Sequence, residues 1–352
     1  SGHRLSVEAA RVVYQTREAV AGFFNLDDPL RVVFGQNITD AINMALQGIL
    51  RPGDHVITTG MEHNAVMRPL RDLESRGILL TIVPCSKTGL VDPAGIEAAI
   101  RPETIMVVVN RASNVCGTLQ PVSQLGEITR RHGILLLTAE AQSAGAVPLD
   151  MQADKVDLLA FTGHKSLYGP MGTGGLLIGE RVDLDRFTPL RFGGTGSRSE
   201  HEIQPEFLPD RFESGTLNAA GLSGLSAALA WLSAQGIEAV QQYETALCRR
   251  LIGGLLNLPG VTVFGPLNAE QQTATVSFNM DGFSPSEMGQ TLDEQFGILC
   301  RVGLHCSPAA HRSLGTFPMG TVRLGLGYFN TPAQVDYTLD ALASIAKGQF
   351  KT

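Results

Sequence analysis

The sequence has few cysteines, few aromatic residues and little charge for its length. Of its 352 residues, five are cysteine, 6% are aromatic and 17% are charged. The cysteines are odd in number and none stands in a CxxC pair, which argues against a disulfide framework or a zinc cage and predicts no metal site. We therefore expect a reducing, cytoplasmic location.

Two further absences narrow the class of protein. No run of about 18 apolar residues occurs, so we expect no membrane span, and no basic-then-apolar signal segment opens the chain. The net charge of −7 argues against nucleic acid as a partner. Because the chain passes directly from SGHRL into a helical pattern, we expect that a segment of the protein precedes it.

Apolar runs alternate with helical patterns through the first two thirds of the chain. Seven runs are predicted as strands, at 30–34, 55–59, 78–84, 104–110, 134–139, 156–161 and 175–178. Strands that alternate with helices indicate a mainly parallel α/β sheet covered on both faces. The length indicates two domains, a large one at 1–235 and a small α+β domain at 236–352.

Polar side chains follow several of the predicted strands. They are Thr39, His63, Asn114, Gln142, His164 and Lys165. Because the carboxyl ends of parallel strands share one edge of a sheet, and ligands bind at that edge, we expect these side chains to form one site.

The stretch FTGHKSLYGPMGTGG, which contains Lys165, lies between two apolar runs. A lysine pinned in such a turn can be desolvated, which lowers its pKa and makes it a nucleophile toward an aldehyde. The sequence before the helix predicted at 41–50 suits an anion, because Thr39 offers a hydroxyl near a helix N-terminus. A simpler interpretation is that Thr39 is only the helix N-cap.

With these motifs, the chain resembles the class V aminotransferases, fold-type I enzymes that depend on pyridoxal 5′-phosphate (PLP), and within them the cysteine desulfurases. The resemblance covers essentially the whole chain. It implies that Lys165 carries the cofactor and that Thr39, Thr162 and His164 hold its phosphate. It also implies that Thr216, in RFESGT, reaches the phosphate of a neighbouring subunit, and hence a homodimer.

The same resemblance implies which residues contact the cofactor ring and which contact the substrate. His63 would be a catalytic residue that stacks on the ring, Gln142 would donate to the ring oxygen, and Asn114 would contact the ring oxygen or the substrate carboxylate. Cys306, in RVGLHC, would be the sulfur acceptor, and Arg323, in TVRL, would bind the carboxylate of the substrate. A thiol beside His305 would ionise more readily.

The implied reaction converts L-cysteine to L-alanine and leaves a persulfide on Cys306. A separate protein would then be a further partner that accepts the sulfur. Two alternatives stay open. One is another class V reaction, such as transamination or a different elimination, and the other is a PLP-binding homologue with impaired catalysis that acts as a scaffold.

The chain departs from the family pattern at three places. The N-terminal Asn-Ala-Ala-Thr-like motif has no counterpart, Arg111 stands where relatives often have His, and Ala139 stands where relatives have Asp. That Asp pairs with the ring nitrogen and lets the ring withdraw electrons. Glu140 is no simple replacement, because neighbouring strand residues point to opposite faces. We expect slow turnover for lack of the Asp, or else that Arg111 approaches the ring nitrogen.

Overall fold

The structure, a computed structural model, describes residues 2–348. Within them the large sheet has seven strands in the order β1-β7-β6-β5-β4-β2-β3. Its strands are β1 (Val32–Gly35), β2 (His55–Thr59), β3 (Leu79–Val83), β4 (Thr104–Asn110), β5 (Leu135–Ala139), β6 (Leu158–Thr162) and β7 (Gly174–Ile178). The pairs from β3 to β6 are parallel, and β7 is antiparallel to both β6 and β1. The mainly parallel seven-stranded sheet predicted from the apolar runs is therefore confirmed.

Helices cover the large sheet and build the second region of the chain. Within residues 2–348 the α-helices are α1 (Arg4–Phe23), α2 (Ile38–Ile49), α3 (Asn64–Ser75), α4 (Pro93–Ala98), α5 (Val122–Arg131), α6 (Ala219–Gln235), α7 (Ile237–Leu256), α8 (Pro285–Phe296), α9 (Pro308–Leu314) and α10 (Pro332–Ala346). Short 3₁₀ turns lie at Pro29–Arg31 and Ala269–Gln271.

A smaller antiparallel sheet lies in the C-terminal part. Its order is β10-β11-β9-β8, with β8 (Val261–Phe264), β9 (Thr275–Met280), β10 (Arg301–Gly303) and β11 (Thr321–Gly325). β10 begins only at Arg301, because α8 ends at a left-handed Gly297 and the residues between the two lie outside the ladder. We propose the domain division at 235/236, between α6 and α7.

Side chains on each strand of the large sheet alternate between two buried cores. On β4, Val107 and Val109 pack with residues of α1, α5 and α6, whereas Met106 and Val108 pack with residues of α2 and α3. This alternation is what a strand buried on both faces requires. The same alternation decides which residues at the ends of β4 and β5 face α2 and α3.

The turn after β6 contacts the C-terminal region through a cluster of aromatic rings. The Tyr168 ring lies 5.6 Å from that of Trp231 and 5.4 Å from that of Phe329, edge to face in both cases. Its hydroxyl donates to Glu244 Oε1 of α7 at 3.1 Å and accepts from the Tyr328 N–H at 3.1 Å. The segment that carries Lys165 is thereby fixed against α7 and the loop after β11.

Candidate functional site

A cavity opens at the carboxyl ends of β4 and β5. Four predicted site residues line it, namely His63, Asn114, Gln142 and Lys165. Asn110 lines it as well, together with an apolar wall of Ile38, Ile42, Ala65, Val66, Ala139 and Ala141. The expectation that polar residues after different strands meet at one edge therefore holds for these four.

Lys165 presents a half-buried amine in this cavity. Its Nζ makes no hydrogen bond or ion pair with any residue in 2–348. Burial lowers the pKa of Lys165 to about 8; the positive charge of Arg323 also lowers it, and Cys306 opposes the shift. A lysine with this pKa is partly neutral near physiological pH, which a nucleophilic amine needs.

His63 is the N-cap residue of α3, and this role fixes its ring. Its Nδ1 accepts the N–H of Ala65 at 2.9 Å, so the proton of the neutral ring is on Nε2. Burial lowers the pKa of His63 to about 4, and the charges of Lys165 and Arg68 add to the effect. The cavity therefore holds an uncharged imidazole whose orientation is set by the helix.

The first turn of α2 offers free donors beside the end of β6. α2 begins at Ile38 and its N-cap is Asn37, whose side chain accepts from the N–H of Asp40. The interpretation of Thr39 as an N-cap is therefore wrong, because Thr39 already lies inside the helix. Its hydroxyl makes no hydrogen bond within the described part of the chain, and first-turn N–H groups have no acceptor in their own helix.

A glycine brings that helix end close to the strand that precedes Lys165. Gly174 is the register partner of Thr162, and a Cβ at this position would lie 2.7 Å from the Cα of Asn37. Only glycine permits this approach. Thr162 Oγ1 in turn lies 2.9 Å from Nδ1 of the exposed His164. The end of β6, with Thr162 and His164, thus lies beside the N-terminus of α2, but neither these two residues nor Thr39 is among those that line the cavity.

Asn114 connects the cavity to the C-terminal region. Its Nδ2 donates to the carbonyl of His305 at 2.6 Å, and its Oδ1 accepts the hydroxyl of Ser307 at 2.6 Å. Its main-chain carbonyl accepts from Arg323 at 2.6 Å. The residue predicted to contact a ligand therefore also holds Arg323, through its main chain, and the turn around Cys306, through its side chain.

Cys306 lies on a tightly held turn with its side chain exposed. Both His305 (φ 48°) and Cys306 (φ 58°) adopt left-handed backbone angles, which non-glycine residues rarely do. The carbonyl of Cys306 accepts the N–H of Asn64 at 2.9 Å. The turn is thus strained and anchored to α3, next to the cavity, while the thiol stays accessible.

His305 does not assist this thiol in the way predicted. The ring is buried, with Nε2 3.1 Å from Thr321 Oγ1. Burial lowers the pKa of His305 to about 3, helped by the charges of Arg323 and His311. The neutral ring faces inward, so it does not supply the positive charge that the predicted assistance would require.

Thr216 lies outside the cavity. It is exposed and lines a separate cleft with Gly35, Gln36, Gly172 and Arg191. Contact of Thr216 with a neighbouring subunit, which the family resemblance implied, stays a prediction.

Glu140 and Arg111 lie on the face of the sheet opposite to Ala139. Arg111 donates to the carbonyl of Pro148 at 2.6 Å, and its other terminal nitrogen lies 3.6 Å from Glu140. Glu140 accepts the hydroxyl of Ser143. The suggestion that Arg111 approaches the ring nitrogen is therefore wrong, and Glu140 does not replace the missing Asp, because strand alternation turns both away.

Three residues at the site were not found from the sequence. Asn110 lines the cavity, and Ser307 donates its hydroxyl hydrogen to Asn114. The third, Glu62, is fully buried and accepts from the Thr59 hydroxyl at 2.7 Å and the Asn110 N–H at 2.9 Å. Burial raises the pKa of Glu62 to about 8. Asn110 could have been found, because it too is a polar residue at the end of a predicted strand.

Comparison with known proteins places this chain in one enzyme family. A model of the class V aminotransferase family matches residues 1–338. A probable cysteine desulfurase of Methanothermobacter thermautotrophicus is 34% identical over 348 residues, covering 98% of this chain and 86% of the relative. A cysteine desulfurase of Pectobacterium atrosepticum is 32% identical over 351 residues, covering 97% of this chain and 84% of the relative.

Solved structures agree with the sequence comparison. The apo structure of a cysteine desulfurase from Thermococcus onnurineus has a TM-score of 0.93 at 30% identity, covering 99% of this chain and 87% of that one. A cysteine desulfurase from Escherichia coli has a TM-score of 0.88 at 28% identity, covering 100% and 87%. The chain belongs to the class V aminotransferase family of PLP-dependent enzymes.

Proposed function

We propose that this enzyme is a cysteine desulfurase that converts L-cysteine to L-alanine and keeps the sulfur on Cys306. The observation that carries the proposal is the exposed thiol of Cys306 on a turn anchored to the cavity of Lys165 through Asn64 and Asn114. The names of the relatives support the same reaction.

The donor set of the cavity fits PLP. An unpaired lysine amine with a pKa of about 8 suits the aldehyde, and the free hydroxyl of Thr39 at a helix N-terminus suits the phosphate. Thr162 and His164, at the end of β6 beside the N-terminus of α2, would add phosphate contacts. When bound, PLP supplies the electron sink that lets a bond at the substrate α-carbon break.

Side chains around the ring have separate tasks in this proposal. The neutral His63 ring stacks on the cofactor and keeps its plane fixed. The amide of Gln142, which makes no hydrogen bond within residues 2–348, donates to the ring oxygen. Lys165 removes the α-proton of the substrate, which its lowered pKa permits near neutral pH.

Arg323 and Cys306 act on the substrate. Arg323 pairs with the α-carboxylate, since a planar guanidinium binds a carboxylate through two hydrogen bonds. The Cys306 sulfur attacks the sulfur of the substrate. The net exchange breaks the substrate C–S bond and the Cys306 S–H bond and forms an S–S and a C–H bond, so no external reductant or oxidant is required.

Labelling and persulfide detection test the assignment together. Borohydride reduction of the PLP-loaded protein followed by peptide mapping should mark Lys165, whereas Lys155 should stay unlabelled. Cys306→Ser should retain PLP and still bind cysteine but form no persulfide, and Cys300→Ser should behave like the parent. Normal alanine release by Cys306→Ser would refute the proposal.

A homodimer is part of this proposal. The support is the exposed Thr216 in a cleft separate from the Lys165 cavity of its own chain. Mixing a Lys165→Ala chain with a Thr216→Ala chain should restore activity. One of the two sites in each mixed dimer then carries neither substitution. Analytical ultracentrifugation at the monomer mass would contradict it.

We also propose an acidic sulfur-acceptor protein that docks between α3 and α9. A groove between these helices is lined by the apolar residues Met67, Ile82, Pro308 and Ala309. Pro308 is two residues beyond Cys306 in the chain. Arg68 pairs with no carboxylate in the described chain, and Arg312 lies over the Phe317 ring at 4.5 Å. An acidic cysteine peptide should therefore remove the persulfide sulfur faster than a basic peptide of equal length. Equal rates would argue against the groove.

A cytoplasmic location remains a proposal. Its support is that all five cysteines are free thiols, one of them exposed on a strained turn, and such a thiol persists in a reducing compartment. Fractionation of the native host would test it. Among residues 2–348, no helix combines the length and apolar character that crossing a bilayer needs.

The alternative of an impaired PLP-binding homologue is favoured by one observation. Ala139 leaves an apolar wall where relatives place a carboxylate. PLP binding with no turnover of cysteine or of any other amino acid would support that alternative, and transamination of another amino acid would support the other class V reactions.

A further inference from the structure

Asn110 and Ala139 form one wall of the cavity, at the ends of adjacent parallel strands. The two residues are register partners. Both are 3% exposed, and both line the cavity that contains Lys165. Position 139 is where the family pattern has the acid that pairs with the ring nitrogen, so this wall would hold the nitrogen edge of PLP.

The carboxamide of Asn110 has no partner in the described part of the chain. Only its main-chain N–H is used, as a donor to Glu62 Oε2 at 2.9 Å. Buried amides are almost always hydrogen-bonded, because removing them from water without a partner is costly. An unpaired amide at the wall of a cavity therefore points to a partner that enters the cavity.

Other polar groups nearby are already assigned or engaged. Asn114 uses its carboxamide on the carbonyl of His305 and the hydroxyl of Ser307. Gln142 lies three residues beyond Ala139, outside the strand, and is only half-buried. His63 and Lys165 are assigned to the ring face and the aldehyde, and the other residues that line the cavity are aliphatic. They are Ile38, Ile42, Ala65, Val66, Ala139 and Ala141.

This wall carries no negative charge at neutral pH. Glu62, behind Asn110, has its pKa raised to about 8 by burial and is mostly protonated there. Glu140 is on the opposite face with Arg111. A cation lies at the same site, since the Arg323 guanidinium donates to the main-chain carbonyl of Asn114. A protonated ring nitrogen would therefore be a buried cation without a counter-ion, which is unfavourable.

We propose that the carboxamide N–H of Asn110 donates a hydrogen bond to the ring nitrogen of PLP, and that this nitrogen stays unprotonated. Asn110 thus takes over the contact that an acid makes elsewhere in the family, with a neutral donor in place of an anion. The inference rests on the proposed attachment of PLP to Lys165. A neutral ring withdraws fewer electrons from the substrate, so the residue tunes the cofactor as well as binding it.

Nitrogen NMR of the PLP-loaded protein tests the inference directly. Protein reconstituted with PLP labelled with ¹⁵N in the ring should show the chemical shift of a hydrogen-bonded, unprotonated pyridine at neutral pH. Asn110→Asp, which preserves the shape of the side chain, should move the signal to the pyridinium range. Asn110→Ala should move it toward free neutral pyridine and weaken PLP binding about two- to tenfold, the effect of one neutral hydrogen bond.

Gln142→Ala is the matched comparison. It should weaken PLP binding but leave the ring-nitrogen signal in place, because Gln142 is assigned to the ring oxygen. A pyridinium signal in the unmodified protein, or a signal that Asn110→Ala leaves unmoved, would overturn the inference. Desulfuration of cysteine is measured separately. If the protein forms no alanine but its ring-nitrogen signal is unprotonated and depends on Asn110, the proposed function is refuted and this inference stands.

Discussion

The guanidinium of Arg323 donates to the main-chain carbonyl of Asn114 across 2.6 Å. This bond joins β11 of the small sheet to the turn that follows β4 of the large sheet. One nitrogen of the guanidinium is therefore committed to the protein, and its remaining N–H groups are held in a fixed orientation before any substrate binds. Such preorganisation reduces the entropy lost on binding.

Replacing Arg323 should weaken substrate binding more than it slows turnover. A charge-assisted hydrogen bond contributes about 1.5–3 kcal/mol, so Arg323→Ala should raise KM for cysteine about 10- to 100-fold, with a smaller effect on kcat. Arg301→Ala is the control, since Arg301 is the exposed register partner of Arg323 on β10. Steady-state alanine formation measures both, and equal effects of the two substitutions would contradict the assignment.

The uptake of PLP by the cofactor-free protein should depend on pH through Lys165. The neutral amine is the nucleophile, and the pKa of Lys165 is about 8. The rate should therefore rise with pH and level off above about pH 8. Arg323→Ala removes a cation that lowers this pKa, so the midpoint should move to higher pH. Stopped-flow absorbance gives the profile, and a midpoint that moves to lower pH would refute this account.

Restoring an acid beside the ring should speed the reaction. In Ala139→Asp the carboxylate would accept a charge-assisted bond from a protonated ring nitrogen, worth about 1.5–3 kcal/mol. If most of this falls on the transition state, alanine formation rises about 10- to 100-fold with unchanged PLP content. An unchanged or lower rate would remove the missing acid as the cause of slow turnover and favour the scaffold alternative.

Glu244 should make the protein less stable as the pH rises. Burial raises the pKa of Glu244 to about 7 from 4.5. The folded state therefore holds a proton that the unfolded state has released, and stability falls between about pH 4.5 and pH 7. Glu244→Gln keeps an acceptor for Tyr168 without ionising. Its unfolding free energy should exceed that of the parent by about 1–3 kcal/mol above pH 7.

Unfolding followed near pH 4.5 supplies the control for Glu244. There the parent carboxyl is protonated when folded, so the two proteins should have nearly the same stability. A gap of the same size at both pH values would mean that the effect comes from packing and has no connection with ionisation.

Strand positions were predictable from the sequence, whereas the order of the strands was not. Apolar runs mark β4 and β6 because both faces of each strand are buried. The antiparallel placement of β7 between β6 and β1 depends on contacts far apart in the chain, such as Val33 with Leu176. No local pattern contains that information.

Some residues of the candidate site were likewise predictable from the sequence, and others were not. Lys165, His63 and Gln142 were predictable because each follows a strand, and that rule alone brings them to one edge. The hydrogen bond from Ser307 to Asn114 and the inward orientation of the His305 ring were not predictable, because each depends on a partner in a distant segment. Thr39 was misread as a possible cap because Asn37 two residues earlier has an equally suitable side chain.

The exposure of Cys306 has a practical consequence, because two of the other four thiols are buried and two are half-buried. Cys116 is fully buried, and burial raises the pKa of Cys85 to about 11 and of Cys248 to about 12; the pKa of Cys300 is also raised. Alkylating reagents need an accessible thiolate. A maleimide dye or a nitroxide should therefore attach at a single point without prior removal of cysteines, and its fluorescence or spin spectrum would report on the motion of this turn.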